Sequence, residues 1–137
     1  MARKIIQAAG GDVRGKTIAV LGLTFKPNTD DMREAPSLSI VQALRDAGAT
    51  IRAYDPEGME QARRLMPDVV YCSSPYEAAE KASAIALITE WDQFRALDFE
   101  RLKAVVATPL LVDLRNVYRP DEVSRHGFTI VGVGRKS

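Results

Sequence analysis

The chain has 137 residues, of which 46% are hydrophobic and 27% are charged, and its formal net charge is +1. This length and composition are those of one globular domain with a substantial core. The small net charge excludes a general electrostatic attraction to nucleic acid or to an acidic membrane surface. No apolar run approaches the roughly 18 residues that span a bilayer, and no leader segment is visible. We therefore expect a cytoplasmic protein without a nucleic-acid or membrane partner.

The first nine residues have the pattern of the last turns of a helix. Gly10 and Gly11 end it, because glycine readily takes the left-handed conformation after a helix. A domain that starts on a helix without an N-cap indicates a chain cut from a longer one.

Six short apolar segments follow, separated by helical or turn segments. Residues 18–21 and 85–88 are continuously apolar, as in strands that are covered on both faces. The predicted strands are Thr17–Leu21, Thr50–Tyr54, 68–71, 84–89, Leu110–Asp113 and 128–133.

The predicted helices begin near proline, serine or aspartate residues, which are typical of helix N-termini. Ser74 and Glu77 have the spacing of a capping box. The other starts are at Pro36, at 56–58, at Asp98 and at Pro120. Strict alternation of strands and helices predicts an α/β fold: a doubly wound, Rossmann-like parallel sheet of about six strands with helices on both faces.

The loops at the carboxyl ends of the central strands are the candidate site, because ligands bind there in such sheets. Lys26, Arg33 and Arg115 lie on these loops, and the helix that starts near Pro36 directs its positive end toward them. Three cations suit a phosphorylated ligand. The alternative is that they are solvated charges paired with neighbouring carboxylates, and spacing alone leaves both open. The same edge also carries Phe25, Glu90, Trp91 and Asn116.

Several familiar signatures are missing. The first turn lacks the glycines of the dinucleotide-binding motif G-x-G-x-x-G. Asp55 stands where such sites have an acid that binds the ribose, but without the glycines we interpret it as a turn former before Pro56.

The chain has one cysteine and one histidine, so it can form neither an internal disulfide nor a structural zinc site. Cys72 is interpreted as a packed thiol, because no activating base is near it in sequence. We predict that His126 lies at the C-terminal end of a helix, where a positive charge interacts favourably with the helix dipole, and assign it no catalytic role.

The segment 22–37, Gly-Leu-Thr-Phe-Lys-Pro-Asn-Thr-Asp-Asp-Met-Arg-Glu-Ala-Pro-Ser, resembles the opening motif of a known domain. This is the C-terminal UDP-binding domain of UDP-glucose 6-dehydrogenases, in the UDP-glucose/GDP-mannose dehydrogenase family. Residues 87–94, 112–116 and 132–135 agree as well. The resemblance extends from about Gly15 onward, in the same order and spacing.

The resemblance implies an NAD-dependent oxidation of UDP-glucose to UDP-glucuronate. Phe25 and Lys26 would contact the UDP-sugar, and Arg115 would hold it across the domain cleft. Arg33 would reach NAD, which is bound mainly by an N-terminal domain that this chain lacks. Residues 1–11 would end the helix that links the two domains and carries the dimer contact, and 12–137 would bind the UDP-sugar. The intact enzyme would be a homodimer or larger.

The family's cysteine motif, which is followed by phenylalanine, proline and lysine, has no counterpart here. No catalytic residue and no metal ligand is therefore assigned, and the chain alone is expected to be inactive. A non-enzymatic Rossmann-like module that binds a nucleotide or a partner protein stays open as the alternative.

Overall fold

The computed structural model describes residues 2–23, 36–89, 94, 97–114 and 118–132. Within these ranges the chain forms one six-stranded parallel sheet flanked by helices. The strands are β1 (Thr17–Leu21), β2 (Thr50–Tyr54), β3 (Val70–Tyr71), β4 (Ala84–Leu87), β5 (Leu110–Asp113) and β6 (Thr129–Gly132). The helices are α1 (Ala2–Ala8), α2 (Pro36–Asp46), α3 (Met59–Leu65), α4 (Pro75–Ala78), α5 (Phe99–Val105) and α6 (Pro120–Ser124).

The strand order is β3-β2-β1-β4-β5-β6, and every pair is parallel. This confirms the predicted doubly wound fold with β1 and β4 at the centre. The central strands consist of Thr-Ile-Ala-Val-Leu and Ala-Ile-Ala-Leu and are almost completely buried. Side chains that are apolar on both faces of a strand are stable only where helices cover both faces, which sets these two strands in the middle.

The core lies in two layers, one on each face of the sheet. Alternate residues of β1 divide between them: Ile18 and Val20 pack with α1, α2 and α3, whereas Ala19 and Leu21 pack with α4, α5 and α6. Ile5 of α1 is fully buried in the first layer, so the N-terminal helix is packed onto the sheet. The two-residue period of a strand thus divides one sequence between two layers.

Several element ends differ from the predicted ones; β6, for example, begins at Thr129 rather than at Phe128. β3 has two residues rather than four, and β4 ends at Leu87 rather than at Thr89. β4 stops there because β1, its neighbour, leaves the sheet at Gly22, whose φ is +91°. α3 begins at Met59 and not at Pro56, because residues 55–58 form a tight turn.

No described helix combines the length and the apolar character that crossing a membrane requires.

Candidate functional site

The carboxyl ends of four neighbouring strands lie side by side. In the sheet register, Leu21 is beside both Tyr54 and Leu87, and Leu87 is beside Asp113. Strands are spaced about 4.8 Å apart, so the loops after β1 and β5 leave the sheet about 10 Å from each other. The segments that carry the predicted cations therefore start from one edge of the sheet.

Gly22 makes the exit from β1 possible. Its backbone has a φ of +91°, and a Cβ atom built on it would lie 2.6 Å from both the Cβ and the backbone nitrogen of Thr89. Its N–H donates to the carbonyl of Tyr54 at 2.9 Å. Only glycine fits this position, because other residues rarely adopt this φ and their side chain would collide with the loop after β4.

Asp55, directly after β2, is a buried carboxylate that binds three backbone amides. It accepts from Glu57 at 2.9 Å and from Gly58 at 2.6 Å, which confirms the predicted turn. Across the sheet it also accepts from the N–H of Leu23 at 2.6 Å. Leu23 is the last described residue before the segment with Phe25, Lys26 and Arg33. Asp55 thus fixes the start of that segment.

Asp113, the last residue of β5, plays a similar part for the next loop. Its side chain is fully buried and accepts from the N–H of Tyr118 at 2.9 Å. The hydroxyl of Tyr118 donates to the carbonyl of Phe94, in the connection between β4 and α5. These bonds join the connections that follow β4 and β5.

The predicted ligand residues themselves lie outside the described residues. This holds for Phe25, Lys26, Arg33 and Arg115, and also for Glu90, Trp91, Asn116 and 133–135. What the structure describes is the frame on which the segments begin and end, namely Leu23, Thr89, Leu114 and Tyr118. Their assignment to a ligand stays a prediction.

The sequence analysis missed Asp113 and Tyr118 as residues that shape this edge. One signal was available, since Asp113 directly follows the apolar residues 110–112, and Asp55 also stands at the carboxyl end of a strand. Tyr118 gave no local signal, because its partner Phe94 is 24 residues away.

Cys72 is buried, as predicted for a packed thiol. Burial raises the pKa of this thiol, and the nearby Arg52 opposes that shift only in part. A thiol with a raised pKa is a poor nucleophile, because the thiolate is the reactive form. The described residues hold no cluster of three or more histidine, cysteine, aspartate or glutamate side chains placed to bind a metal ion.

His126 lies after α6, where it contacts α5. Its Nδ1 is 3.0 Å from a carboxylate oxygen of Glu100, and its ring stacks on Phe99 with 5.8 Å between centroids. Both partners belong to α5, and the hydrogen-bonded pair is exposed at the surface. These contacts agree with a structural rather than a catalytic role.

Comparison with known proteins identifies the domain. Residues 19–120 match the family model described as "UDP-glucose/GDP-mannose dehydrogenase family, UDP binding domain". That range includes β2 to β5, the last three residues of β1, and the carboxyl ends of these five strands.

Curated relatives agree. The chain is 63% identical over 135 residues to the UDP-glucose 6-dehydrogenase of Rhizobium meliloti, covering 98% of this chain and 31% of the relative. It is 45% identical over 131 residues to the UDP-glucose 6-dehydrogenase of Pseudomonas aeruginosa, covering 91% of this chain and 29% of that protein. The chain therefore spans about a third of the length of these relatives.

Solved structures agree as well. A UDP-glucose dehydrogenase from the hyperthermophilic archaeon Pyrobaculum islandicum superimposes with a TM-score of 0.81 at 31% identity, over 98% of this chain and 29% of that one. The sheet order, the match over the carboxyl edge and the high identity to these relatives lead to one conclusion: the chain belongs to the UDP-glucose/GDP-mannose dehydrogenase family and corresponds to its UDP binding domain.

Proposed function

We propose that this chain is the UDP-sugar-binding part of an NAD-dependent dehydrogenase that oxidises UDP-glucose to UDP-glucuronate. The observation that carries the proposal is the match of residues 19–120 to a UDP binding domain, combined with 63% identity to a UDP-glucose 6-dehydrogenase. The residues proposed for the ligand are Phe25 and Lys26, which would contact the UDP-sugar, and Arg115, which would hold it.

The geometry of the described frame supports these positions. Leu23 is bound to Asp55 two residues before Phe25, and Tyr118 is bound to Asp113 three residues after Arg115. With the loops after β1 and β5 leaving the sheet about 10 Å apart, their side chains can meet on one nucleotide diphosphate. An arginine fork and a lysine point charge are the groups that bind phosphate most often.

The described residues do not fit NAD. In dinucleotide sites of this fold, an acid after the second strand binds the ribose hydroxyls. Asp55 is in that place, but its carboxylate is fully buried and accepts from three backbone amides. We therefore propose that NAD is bound mainly by a separate N-terminal domain and that Arg33 alone reaches it from this chain.

The division of the chain follows from the same proposal. Residues 12–137 would form the UDP-sugar-binding domain, and 1–11 would belong to the helix that joins it to the NAD-binding domain. The intact enzyme would be a homodimer or larger in the cytoplasm. This location, the oligomeric state and the sugar specificity stay predictions.

Calorimetric titration of the chain with UDP, UDP-glucose and GDP-mannose tests the binding proposal. We expect UDP and UDP-glucose to bind with dissociation constants in the millimolar range, about −4 kcal/mol, because the other domain supplies half of the cleft. GDP-mannose serves as the control for the base and the sugar and is expected to bind more weakly. Binding of none of the three would contradict the proposal.

The reading frame upstream of Met1 tests the enzymatic part. A glycine fingerprint and a cysteine motif followed by phenylalanine, proline and lysine are expected there. A translation start at Met1, with neither motif before it, would favour a non-enzymatic binding module instead.

A further inference from the structure

Tyr118 connects the loop after β5 with the loop after β4, at the carboxyl ends of these strands. It is 4% exposed and stands between residues 115–117 and the start of α6. Its ring packs edge-on against Phe99, the first residue of α5, with 5.2 Å between centroids and 80° between planes. The position of the side chain is therefore fixed by the core on the α5 face of the sheet.

The backbone of Tyr118 closes the loop after β5. Its N–H donates to Oδ2 of Asp113 at 2.9 Å, and Asp113 is held in the sheet by its register with Leu87 and Gly132. The five-residue step from Asp113 to Tyr118 contains Arg115. The short segment that carries Arg115 thus starts at Asp113, and its far end, Tyr118, is hydrogen-bonded back to the buried carboxylate of Asp113.

The side chain of Tyr118 reaches the loop after β4. Its hydroxyl donates to the carbonyl of Phe94, and the N–H of Leu97 reaches the same carbonyl at 3.4 Å. Phe94 is fully buried and packs against Tyr54, with 6.2 Å between ring centroids. The hydroxyl therefore connects the loop after β5 to a fixed point in the connection that contains Glu90 and Trp91.

We propose that Tyr118 is a positioning residue for the UDP site: by linking Asp113 and Phe94 through hydrogen bonds, it joins the connection after β4 to the far end of the loop that carries Arg115. The proposal rests on the proposed function, because it assigns the purpose of the tie to the UDP ligand. A loop that is ordered before binding loses less conformational entropy when the ligand arrives, so the tie increases affinity without touching the ligand.

The test uses Tyr118→Phe, which removes only the hydroxyl and keeps the ring on Phe99. Tyr71→Phe is the matched control, since the hydroxyl of Tyr71 also donates to a backbone carbonyl, that of Met66, at 2.7 Å. Tyr71 is on β3, three strand spacings or about 14 Å from β4. Each variant loses a hydrogen bond from a tyrosine hydroxyl to a backbone carbonyl, but only Tyr118→Phe loses it at the carboxyl edge of the central strands.

Two measurements are made on the 137-residue chain and both variants: calorimetric titration with UDP, and amide hydrogen exchange without ligand. We expect Tyr118→Phe to weaken UDP binding by roughly three- to tenfold, the change expected for one hydrogen bond. Exchange should become faster in peptides that cover 88–98 and 113–119. Tyr71→Phe should leave both readouts as in the wild type.

Equal UDP affinity of Tyr118→Phe and wild type would overturn the inference, as would equal losses in the two variants. If the wild-type chain binds no UDP, the proposed function fails. Hydrogen exchange then tests separately whether the Tyr118 hydroxyl holds the connections after β4 and β5 together. Unchanged exchange in both peptides of Tyr118→Phe would reject the tie as well. A purely structural role would lower the unfolding midpoint without changing the UDP affinity of the folded chain.

Discussion

Asp55 and Asp113 show how one residue type, placed where a buried strand ends, shapes a loop. Each carboxylate is fully buried and accepts hydrogen bonds from backbone N–H groups. The turn formed by Asp55 was predictable from the sequence, because aspartate before proline favours a turn. Its bond to Leu23 was not, since the two residues are 32 positions apart and meet only after β1 and β2 pair.

Removing the carboxylate of Asp55 tests how much it contributes to the stability of the fold. Asp55→Ala leaves three amides without this acceptor, and we expect the free energy of unfolding to fall by at least about 2 kcal/mol. Asp12→Ala is the control, because Asp12 accepts from the N–H of Arg14 in an exposed turn, and its change should stay within about 0.5 kcal/mol. Urea unfolding measures both, and similar losses would contradict the role given to Asp55.

Gly22 and Gly11 form a matched pair for backbone strain. Both have a φ of +91°, but a Cβ at Gly22 would collide with Thr89, whereas nothing lies within 4 Å of one at Gly11. Gly11→Ala should cost about 1 kcal/mol from the left-handed backbone alone. Gly22→Ala should cost about 1–3 kcal/mol more, because the loop after β4 must shift. Equal losses in urea unfolding would mean that the approach to Thr89 is not tight.

At the scale of elements, the edge strand β3 is the least protected part of the sheet. It has two residues and pairs only with β2, and Val70 is 43% exposed. Tyr71 on this strand lies against Arg63, whose guanidinium carbon is 5.2 Å from the ring centroid. Burial raises the pKa of Tyr71 to about 12, although Arg63 and Arg45 oppose the shift.

This raised pKa predicts a loss of stability at high pH. Because the phenol is harder to ionise in the folded chain than in the unfolded chain, its contribution is complete below about pH 10 and is lost as the pH rises toward 12. The free energy of unfolding should therefore decrease more steeply over this interval in the wild type than in Tyr71→Phe. Urea unfolding between pH 9 and pH 12 measures the two slopes, expected to differ above about pH 10. Parallel slopes would show that Tyr71 ionises normally.

Most elements could be predicted from the sequence, and those that differed did so for tertiary reasons. β1, β2 and β5 have the predicted bounds, because short, largely apolar runs between polar and turn residues define them locally. The N-cap at Ser74 was also predicted, and its hydroxyl accepts from the N–H of Glu77 at 3.1 Å. The carboxylate of Glu77, however, accepts from the N–H and hydroxyl of Ser73, one residue before the expected partner. Strand ends that depend on a neighbour, such as that of β4, could not be seen locally.

At the scale of the whole molecule, the strand order determines where a ligand can bind. With β1 and β4 adjacent at the centre, the helices that follow them, α2 and α5, pack on opposite faces of the sheet. In sheets of this kind, ligands bind at the carboxyl ends of the two central strands. The sequence pointed to this edge through three cations on its loops, and the family match covers it. The residues that hold those loops, Asp113 and Tyr118, required the folded structure, because their contacts connect distant parts of the chain.

The most direct test of the account compares UDP binding by the wild-type chain with Lys26→Ala, Arg115→Ala and Arg14→Ala in a calorimeter. Arg14 is the control, since its side chain is 81% exposed and lies before β1, at the amino end of the sheet. We expect Lys26→Ala and Arg115→Ala each to weaken UDP binding by about tenfold or more, the effect of losing a hydrogen bond to a charged group, with the fold retained. Arg14→Ala should bind as the wild type does. Unchanged affinity in Lys26→Ala and Arg115→Ala, or an equal loss in all three variants, would contradict the UDP site at this edge.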